Sequence, residues 1–392
     1  MKVSTANLWL TTASVLFLMA SPLPVSAAVA DAPAHAKAPA NIAAIDALMA
    51  DAIAKQKLAG AAIGVMRDGK IVFLKGYGMA DLEDGQPVRP DTIFRMASIT
   101  KQFTAAMVLK LVDQGKLSLS DPISKYFPDF PKAEGITVRH LLDHTSGIRS
   151  YTDQAFMDTR AWRDHDSKEL VSLIAGQDNL RDFPVGTDYL YNNSAYVLAG
   201  VVIEKVTGKS YGAAFDELIA KPLGLTDTAY DDERAIVPRR SKGYGVRDGK
   251  IVFALPLAVS VSGGAGSLRS TATDMLRWHQ ALLGGKLLKP ESLALMLQPG
   301  RLSDGRLSTV NLKPDAQGRP PMNYGFGIQI GERDGRRAIG HGGTINGFTS
   351  RLYTYPDDRT TIVLLANTDD AAHELYNDVA AYWFGAAKLS AK

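Results

Sequence analysis

The amino-acid sequence predicts an α+β fold in which an antiparallel β-sheet, built from both ends of the chain and flanked by helices, lies beside a mostly helical lobe. In the N-terminal part, residues 61–66 and 70–76 flank the turn Arg67-Asp68-Gly69 and are expected to form a β-hairpin. In the C-terminal part, residues 350–355 and 360–366 are expected to form another hairpin. The long stretch between the hairpins is mostly helical in pattern. These three observations predict one sheet with strands from both termini and a separate helical lobe.

The N-terminus has the features of a secretory signal peptide. A lysine precedes an apolar run from Leu8 to Met19, and Val25-Ser26-Ala27 forms a small-residue cleavage site. We expect a signal peptide over residues 1–27 and an Ala- and Pro-rich disordered lead-in over residues 28–40. An exported bacterial protein, periplasmic or secreted, with no stable membrane anchor after cleavage is therefore predicted. An uncleaved anchor is the alternative.

Helices are expected around and between the hairpins. An amphipathic helix is predicted over residues 41–57, and another over residues 371–384 follows the last hairpin. The helix that begins near Ser98 carries apolar residues on most of its faces, with Gly115 as a stop signal. A helix that is apolar nearly all round is a buried one. We therefore expect Ser98 to face inward, toward a cleft.

Ser98 and Lys101 form the single Ser-x-x-Lys pattern in the chain. A lysine three residues after a serine lies about one helical turn further on, on the same face. The positive end of the helix dipole stabilises a developing alkoxide on Ser98, and a desolvated Lys101 can lose its proton and act as a base. Taken alone, the pattern more often marks an N-cap serine with a solvated lysine, so its interpretation depends on its partners.

A second patch, Tyr191-Asn192-Asn193, is predicted to lie on a loop ahead of a helix over residues 194–206. A phenol near a lysine can pass a proton from the nucleophile to the leaving group, which makes Tyr191 a candidate proton relay. Asn193 offers both a donor and an acceptor for a substrate amide. Alone, the patch also fits a half-buried loop tyrosine beside an asparagine turn.

A third patch, His341-Gly342-Gly343-Thr344, lies between two strand-like segments. Its glycines, Gly343 among them, allow a substrate backbone to approach an edge strand closely. The backbone N–H of Thr344 is expected to pair with that of Ser98 as an oxyanion hole. His341 is the only histidine with glycines on both sides, so we expect it to bind substrate rather than to pack in the core. A glycine-rich hairpin corner is the alternative.

In this order, the Ser-x-x-Lys, Tyr-x-Asn and His-x-Gly patches resemble the motifs of serine β-lactamase-like and penicillin-binding-protein-like hydrolases. That family includes class C β-lactamases, D,D-carboxypeptidases, D-aminopeptidases and related esterases. Residues 140–147, 221–225 and 270–275 also look family-like, and the resemblance covers about residues 43–385. His341 stands where class C β-lactamases carry a lysine, which weakens the expectation of antibiotic hydrolysis.

The resemblance implies a β-lactamase/transpeptidase-like domain over residues 41–388. Its α/β lobe is expected at about 41–97 and 320–388, and its helical lobe at about 98–319. Pockets prefer to form between such lobes, so the site is expected there.

The expected reaction is hydrolysis of an ester or amide through an acyl-enzyme, of the esterase or D-amino-acid peptidase/carboxypeptidase type. Lys101 takes the proton of Ser98, which attacks a carbonyl, and Tyr191 relays the proton to the leaving group. An ester, a D-amino-acid peptide and a lactam all present this carbonyl, so the substrate stays open. The alternatives are a class C-like β-lactamase and a penicillin-binding receptor that is acylated without turnover.

Two other patterns compete with this interpretation. Residues 208–212 match the nucleophile elbow of α/β-hydrolases, which requires an upstream strand. The residues before them are apolar at helical spacing, so Gly208 is expected to be a helix C-cap and Ser210 the next N-cap. His140 and His144 have the spacing of two metal ligands on one helix face, but no third ligand is evident. A structural role is favoured for them, and no metal is expected.

The composition excludes several function classes. With 44 basic and 41 acidic residues the formal charge is +3, and no basic run exceeds two adjacent arginines. The sequence therefore has no cluster of charge of the kind that binds nucleic acid or a membrane surface. The chain has no cysteine, so disulfides and thiolate metal sites are excluded. We expect no cofactor and a small-molecule or peptide substrate as the partner; the sequence leaves the oligomeric state open.

Overall fold

The computed structural model describes residues 40–152, 154–310 and 320–385. The predicted signal peptide, residues 28–39 of the predicted lead-in and the last three residues of the predicted domain lie outside these ranges. The strands are, in chain order, β1 Gly60–Arg67, β2 Lys70–Asp81, β3 Gln86–Pro87, β4 Phe94–Arg95, β5 Ala229–Tyr230, β6 Tyr244–Arg247, β7 Lys250–Phe253, β8 Leu268–Ser270, β9 Thr309–Val310, β10 Met322–Tyr324, β11 Gln329–Arg333, β12 Arg336–Ile345, β13 Phe348–Tyr355 and β14 Thr360–Ala366.

The helices surround these strands and fill the middle of the chain. They are α1 Ile42–Ala54, α2 Thr100–Asp113, α3 Val138–Leu142, α4 Gln154–Thr159, α5 Ser167–Ala175, α6 Asn193–Thr207, α7 Tyr211–Phe215, α8 Lys221–Leu223, α9 Gly263–Gly266, α10 Ala272–Leu283, α11 Pro290–Met296 and α12 Ala371–Trp383. Of the helices in the described ranges, none combines the length and the apolar character needed to cross a membrane.

Nine strands form one antiparallel sheet in the order β3-β2-β1-β14-β13-β12-β11-β10-β9. At its centre β1 pairs with β14, from Ala61 opposite Ala366 to Arg67 opposite Thr360. All seven residues of β14 are buried, as expected for a central strand covered on both faces. The predicted α+β fold with one sheet built from both chain ends is therefore confirmed.

The alternation of side chains along the central strands builds two cores. Ile63 and Val65 of β1 belong to the core on the face covered by α1 and α12. Ala62 and Met66 belong to the larger core on the opposite face, where α10 and the helical body lie. The sheet is thus the middle layer of the molecule.

Helix α2 runs through the helical body and is buried almost all round. Eleven of its fourteen residues are buried, which matches its apolar pattern in the sequence. The short 3-10 turn Ala97–Ile99 that precedes α2 contacts β12 and β13, so the N-terminus of α2 lies near these two strands.

The described residues form one compact unit. The predicted lobe boundaries near residues 97 and 320 fall within this unit and stay a prediction.

The rival nucleophile elbow lacks the strand that it requires. Residues 193–207 form α6, and Gly208 ends this helix with a φ of +67°, in the left-handed region that glycine favours. Ser210 is the N-cap of α7, and its hydroxyl accepts a hydrogen bond from the Ala213 N–H at 3.4 Å. Ser210 therefore has a local structural role.

Candidate active site

A cavity of about 450 Å³ opens beside the N-terminus of α2 and the end of β12. Ser98, Asn193 and Thr344 line it, together with residues that the sequence did not single out. Those further lining residues are Ala97, Tyr151, Thr152, Met157, Leu257, Val261, Ser262, Ala265, Gly266, Ile345, Asn346, Asp369 and Asp370.

Ser98 lies in a 3-10 turn, Ala97–Ile99, just before α2, rather than inside the helix. Ala97 has a φ of +49°, which a residue with a Cβ seldom adopts. The Met96 carbonyl accepts hydrogen bonds from the Ile99 N–H at 3.2 Å and from the Ser350 hydroxyl at 3.0 Å. Strained backbone that neighbouring strands hold in place is typical of functional sites, and here it presents the Ser98 hydroxyl to the cavity.

Lys101 is fully buried beneath Ser98. Its Nζ lies 3.1 Å from Ser98 Oγ, 2.8 Å from Asn193 Oδ1 and 2.9 Å from the Ala265 carbonyl oxygen. No carboxylate is among these contacts. Burial without a counter-charge lowers the pKa of the Lys101 amine well below its usual range.

Tyr191 and Asn193 reach Lys101 from the start of α6. Asn192 caps this helix by accepting the Ala195 N–H at 2.8 Å, which fixes the residues on either side of it. The Lys101 Nζ lies 4.7 Å from the centre of the Tyr191 ring. Burial raises the pKa of the Tyr191 phenol, and its hydrogen bond with Ser98 acts in the opposite direction. The predicted nucleophile, base and relay are thus in mutual contact.

The carboxamide of Asn193 joins two parts of the cavity wall. Its oxygen faces Lys101, and its Nδ2 donates to the Thr152 hydroxyl at 3.2 Å. The sequence had assigned this side chain to a substrate amide. Lys101 engages one lone pair of this oxygen, so the second lone pair and the remaining N–H of Nδ2 are left for a substrate.

His341 differs from the expectation that it faces substrate. The residue is only 3% exposed and does not line the cavity. It lies opposite Leu352 in the register of β12 and β13, and strand alternation turns both side chains toward the core. His341 Nε2 lies 3.0 Å from the Tyr324 hydroxyl, and burial lowers the pKa of the imidazole to about 3.

His144 occupies the centre of an aromatic cluster behind Tyr191. The centre of its ring is 4.6 Å from that of Tyr191, 5.0 Å from that of Tyr196 and 4.7 Å from that of Tyr324. Its Nδ1 accepts the Asn192 N–H at 3.2 Å, so the ring supports the loop that carries Tyr191.

The paired-histidine alternative does not match this geometry. His140 Nδ1 lies 3.1 Å from the Thr137 N–H nitrogen at the start of α3, and α3 ends before His144. Within the described ranges, no group of three or more His, Cys, Asp or Glu side chains is placed to hold a metal ion.

Gly343 brings β12 against the nucleophile turn. An ideal Cβ at this position would lie 2.3 Å from the Met96 carbonyl oxygen and 2.9 Å from the Ser98 nitrogen, so a side chain does not fit. Thr344 follows at the cavity wall, and its Oγ1 lies 3.0 Å from His373 Nε2. The structure therefore brings Thr344 and Ser98 to the same end of the cavity, as an oxyanion hole requires; that role stays a prediction.

Sequence reasoning missed the segment 263–266, which forms α9. Its Ala265 carbonyl accepts from Lys101, and its Gly264 carbonyl accepts from the Thr104 hydroxyl at 2.6 Å. An ideal Cβ on Gly264 would lie 2.5 Å from the Tyr196 carbonyl oxygen, so glycine allows this segment to approach α6. The run Gly-Gly-Ala-Gly was the available signal, because backbone that closely approaches another element favours glycine.

Ser98 lies next to a buried lysine and a phenol, below the glycine-containing strand β12 of an antiparallel sheet. This arrangement defines a serine hydrolase of the β-lactamase/transpeptidase fold. The chain belongs to the Beta-lactamase family, whose model matches residues 44–383. The resemblance read from the three motifs is thereby confirmed.

Individual relatives within this family differ in activity. The chain is 32% identical to Esterase EstB of Burkholderia gladioli over 88% of this chain and 95% of that protein. It is 27% identical to Penicillin-binding protein 4* of Bacillus subtilis over 77% of this chain and 66% of that protein. Among solved structures, a D-stereospecific amidohydrolase from Streptomyces sp. matches with a TM-score of 0.73 and 29% identity, over 89% of this chain and 100% of that one.

Proposed function

We propose that this hydrolase cleaves uncharged or amine-bearing esters or amides through an acyl-enzyme on Ser98. The observation that carries the proposal is the environment of Lys101, which is fully buried, in contact with Ser98 and without a carboxylate partner. Such a lysine is suited to act as a general base at neutral pH.

The three contacts of Lys101 Nζ fit a neutral amine. A neutral amine has two N–H groups and one lone pair. The two N–H groups suit the Asn193 and Ala265 oxygens, which accept hydrogen bonds only. The lone pair of the neutral amine then faces Ser98, whose Oγ lies 3.1 Å from Nζ, so Nζ can accept the hydroxyl proton. This is the geometry required to activate a serine.

The reaction proceeds in two halves. Lys101 accepts the proton of Ser98 as Oγ bonds to the substrate carbonyl carbon, and the N–H groups of Ser98 and Thr344 bind the oxyanion. Tyr191 passes the proton to the leaving group, and the bond to that group breaks. Water then attacks the Ser98 ester, releases the acid and returns a proton to Oγ.

The charges around the cavity support the choice of substrate. No lysine or arginine is among the residues that line it, whereas Asp369 and Asp370 are. His341 is neutral because burial holds its pKa near 3, so it offers no cation for a substrate carboxylate. A β-lactam or a D,D-peptide carries such a carboxylate. The esterase and amidohydrolase relatives agree with a neutral or amine-bearing substrate.

A substrate panel tests the proposal. We expect turnover of p-nitrophenyl acetate or of D-alanine p-nitroanilide to exceed that of a chromogenic cephalosporin by roughly two decades in kcat/KM, about 2.7 kcal/mol in barrier terms. A fluorophosphonate probe with peptide mapping should label Ser98, and Ser98→Ala should abolish both labelling and turnover.

Ser210→Ala is the matched control and should retain both. A label on Ser210 would contradict the nucleophile assignment. Efficient cephalosporin hydrolysis would favour the class C-like alternative, and labelling without turnover of any substrate would favour the receptor alternative.

A further inference from the structure

A second cavity, of about 340 Å³, adjoins the catalytic one. Leu257 and Asn346 line both cavities, so the two share a wall. Asn346 lies two residues beyond Thr344, where β12 turns into β13. The second cavity therefore extends the catalytic cavity beyond Thr344, toward the C-terminal end of β12.

Large apolar side chains are exposed around this second cavity. Trp162 is 61% exposed, Leu255 62% and Phe253 52%, and all three line it. They come from three segments: the connection between α4 and α5, the end of β7 and the loop that follows β7. Exposed apolar side chains that converge on one concavity, with a polar surround, are typical of a ligand groove.

The loop that carries Leu255 and Leu257 is held on both sides. Asn346 Nδ2 donates to the Leu255 carbonyl at 3.1 Å, and Arg95 Nη1 donates to the Leu257 carbonyl at 3.2 Å. The Ala254 N–H also donates to the Gly243 carbonyl at 3.1 Å. The apolar wall is thus fixed before any ligand arrives, which reduces the entropy lost on binding.

The charged groups on the floor of the cavity pair mostly with one another, although the buried Nε atoms of Arg240 and Arg269 have no hydrogen-bond partner among the described residues. Arg95 donates to Asp231 at 2.9 Å and to Glu233 at 2.7 Å, and Arg240 lies 2.9 Å from Asp231. The Asp231 side chain is 1% exposed, so this network is structural. Because these guanidinium groups already have acceptors, an apolar ligand group suits the cavity better than an anion.

The direction of β12 indicates which part of a substrate reaches this cavity. Tyr191, the proposed relay to the leaving group, lies beside His341 with 5.9 Å between ring centres. From His341 the strand runs through Thr344, at the oxyanion end, to Asn346. The leaving group therefore departs on the Tyr191 side of the oxyanion end, and the acyl arm extends on the Asn346 side.

We infer that the second cavity is the acyl-arm subsite and that it selects esters or amides with an extended apolar acyl group, alkyl or aryl. This inference rests on the proposed acyl-enzyme reaction. Each methylene that leaves water for such a site raises kcat/KM by up to roughly fourfold. Acyl groups too short to pass Leu257 gain nothing.

Two ester series test the subsite. The first varies the acyl chain, as p-nitrophenyl acetate, butyrate, hexanoate and octanoate; the second varies the alcohol, as ethyl, butyl and hexyl acetate. We expect kcat/KM to rise by about tenfold or more from acetate to hexanoate in the first series and to stay nearly flat in the second. Trp162→Ala and Leu255→Ala should reduce the rise to within about threefold while leaving acetate turnover unchanged.

The matched control is Ile236→Ala, which removes an apolar side chain that is 98% exposed and lies outside both cavities. It should retain the full chain-length dependence, and Trp162→Phe should restore most of it. The subsite is overturned if kcat/KM stays flat along the acyl series, or if it rises equally in Trp162→Ala. In either case, acetate turnover that depends on Ser98 still supports the proposed function. A rise confined to the alcohol series would assign the cavity to the leaving group and overturn the inference.

If the protein shows no turnover that depends on Ser98, the proposed function is wrong. Whether the second cavity binds apolar acyl groups is then tested by a binding measurement. Ethyl octanoate titrated into Ser98→Ala should shift the tryptophan emission, whereas ethyl acetate should not. The shift should be lost in Trp162→Phe. Equal shifts for both esters, or a shift that survives in Trp162→Phe, would contradict the subsite.

Discussion

At the scale of single residues, the chemistry of the cavity depends on how far each ionisable group is removed from water. Lys101 has only neutral oxygen atoms around its Nζ, so the protein favours the uncharged amine. The burial of His341 has a structural role, because its ring packs beside Tyr324, behind Tyr191. Lysine at the same position would place an ammonium among tyrosine rings, which is costly without a carboxylate partner.

We expect Lys101 and Tyr191 to act as one proton-handling unit with Ser98. Groups that act together are not additive, so Lys101→Ala, Tyr191→Phe and the double variant should each lower kcat by a similar factor of roughly 10³ or more. The measurement is kcat on the best substrate of the panel, with the unfolding midpoint recorded for each variant. If the two single losses simply multiply in the double variant, one of the residues is structural and the relay assignment is wrong.

At the scale of elements, the edge of β12 sets the distance between the oxyanion end of the cavity and the nucleophile. The close approach depends on Gly343, because the Met96 carbonyl and the Ser98 nitrogen occupy the space that a side chain needs. The Ser350 hydroxyl of β13 holds the Met96 carbonyl from the same side. Two neighbouring strands and the 3-10 turn therefore form one rigid unit.

We expect Gly343→Ala to push β12 away from the 3-10 turn that carries Ser98, with little effect on the rest of the sheet. A displacement of β12 by a fraction of an ångström or more misplaces the Thr344 N–H, and we expect kcat/KM to fall by roughly 10²-fold. The matched control is Gly331→Ala on β11, where the nearest atoms to a new Cβ are those of Met322, at 3.2 Å. The control should keep its activity. Unchanged kcat/KM in Gly343→Ala, with the protein folded, would remove this strand from the oxyanion site.

Some helices, strands and site residues could be predicted from the sequence more accurately than others, and the reasons are physical. Apolar periodicity and capping residues are local, so α2, α6 and the central hairpins were predicted close to their observed positions. Gly263–Gly266 supplies the Ala265 carbonyl to Lys101, but this contact joins residues 164 positions apart and has no local signature. His341 was assigned to substrate because its neighbours are glycines, whereas its burial depends on Tyr324 and Leu352 from other strands. Motif spacing identified the reacting groups, and tertiary packing decided which of them face the cavity.

At the scale of the whole molecule, buried or half-buried histidines join the sheet to the helices on both of its faces. His279 of α10 lies 2.9 Å from the Thr354 hydroxyl of β13 and 3.0 Å from the Gln102 carboxamide oxygen of α2. His373 of α12 contacts Thr344 of β12. Burial lowers the pKa to about 3 for His279 and His341 and to about 4 for His373. Removal from water thus favours the neutral form of each of these side chains in the folded protein.

These lowered pKa values predict a loss of stability in mild acid. An unfolded histidine has a pKa near 6.5, so below that pH the unfolded chain binds protons that the folded protein does not, and the free energy of unfolding falls with pH. The loss continues until the folded pKa values, near 3 to 4, are reached. Asp143 acts in the opposite direction, because burial raises its pKa to about 6 and the folded state takes up that proton first. The three histidines outweigh it.

We therefore expect the free energy of unfolding to drop by about 2 kcal/mol between pH 6 and pH 5, measured by urea denaturation. His279→Gln should reduce that drop by about 1 kcal/mol, because one proton-binding group is removed from the unfolded chain. The same variant at pH 8, where histidines are neutral in both states, gives the packing cost of the substitution alone. Two results would contradict this prediction: a free energy of unfolding that stays constant from pH 6 to pH 5, or a pH dependence that His279→Gln leaves unchanged. Either result would show that these histidines do not cause the loss of stability in acid.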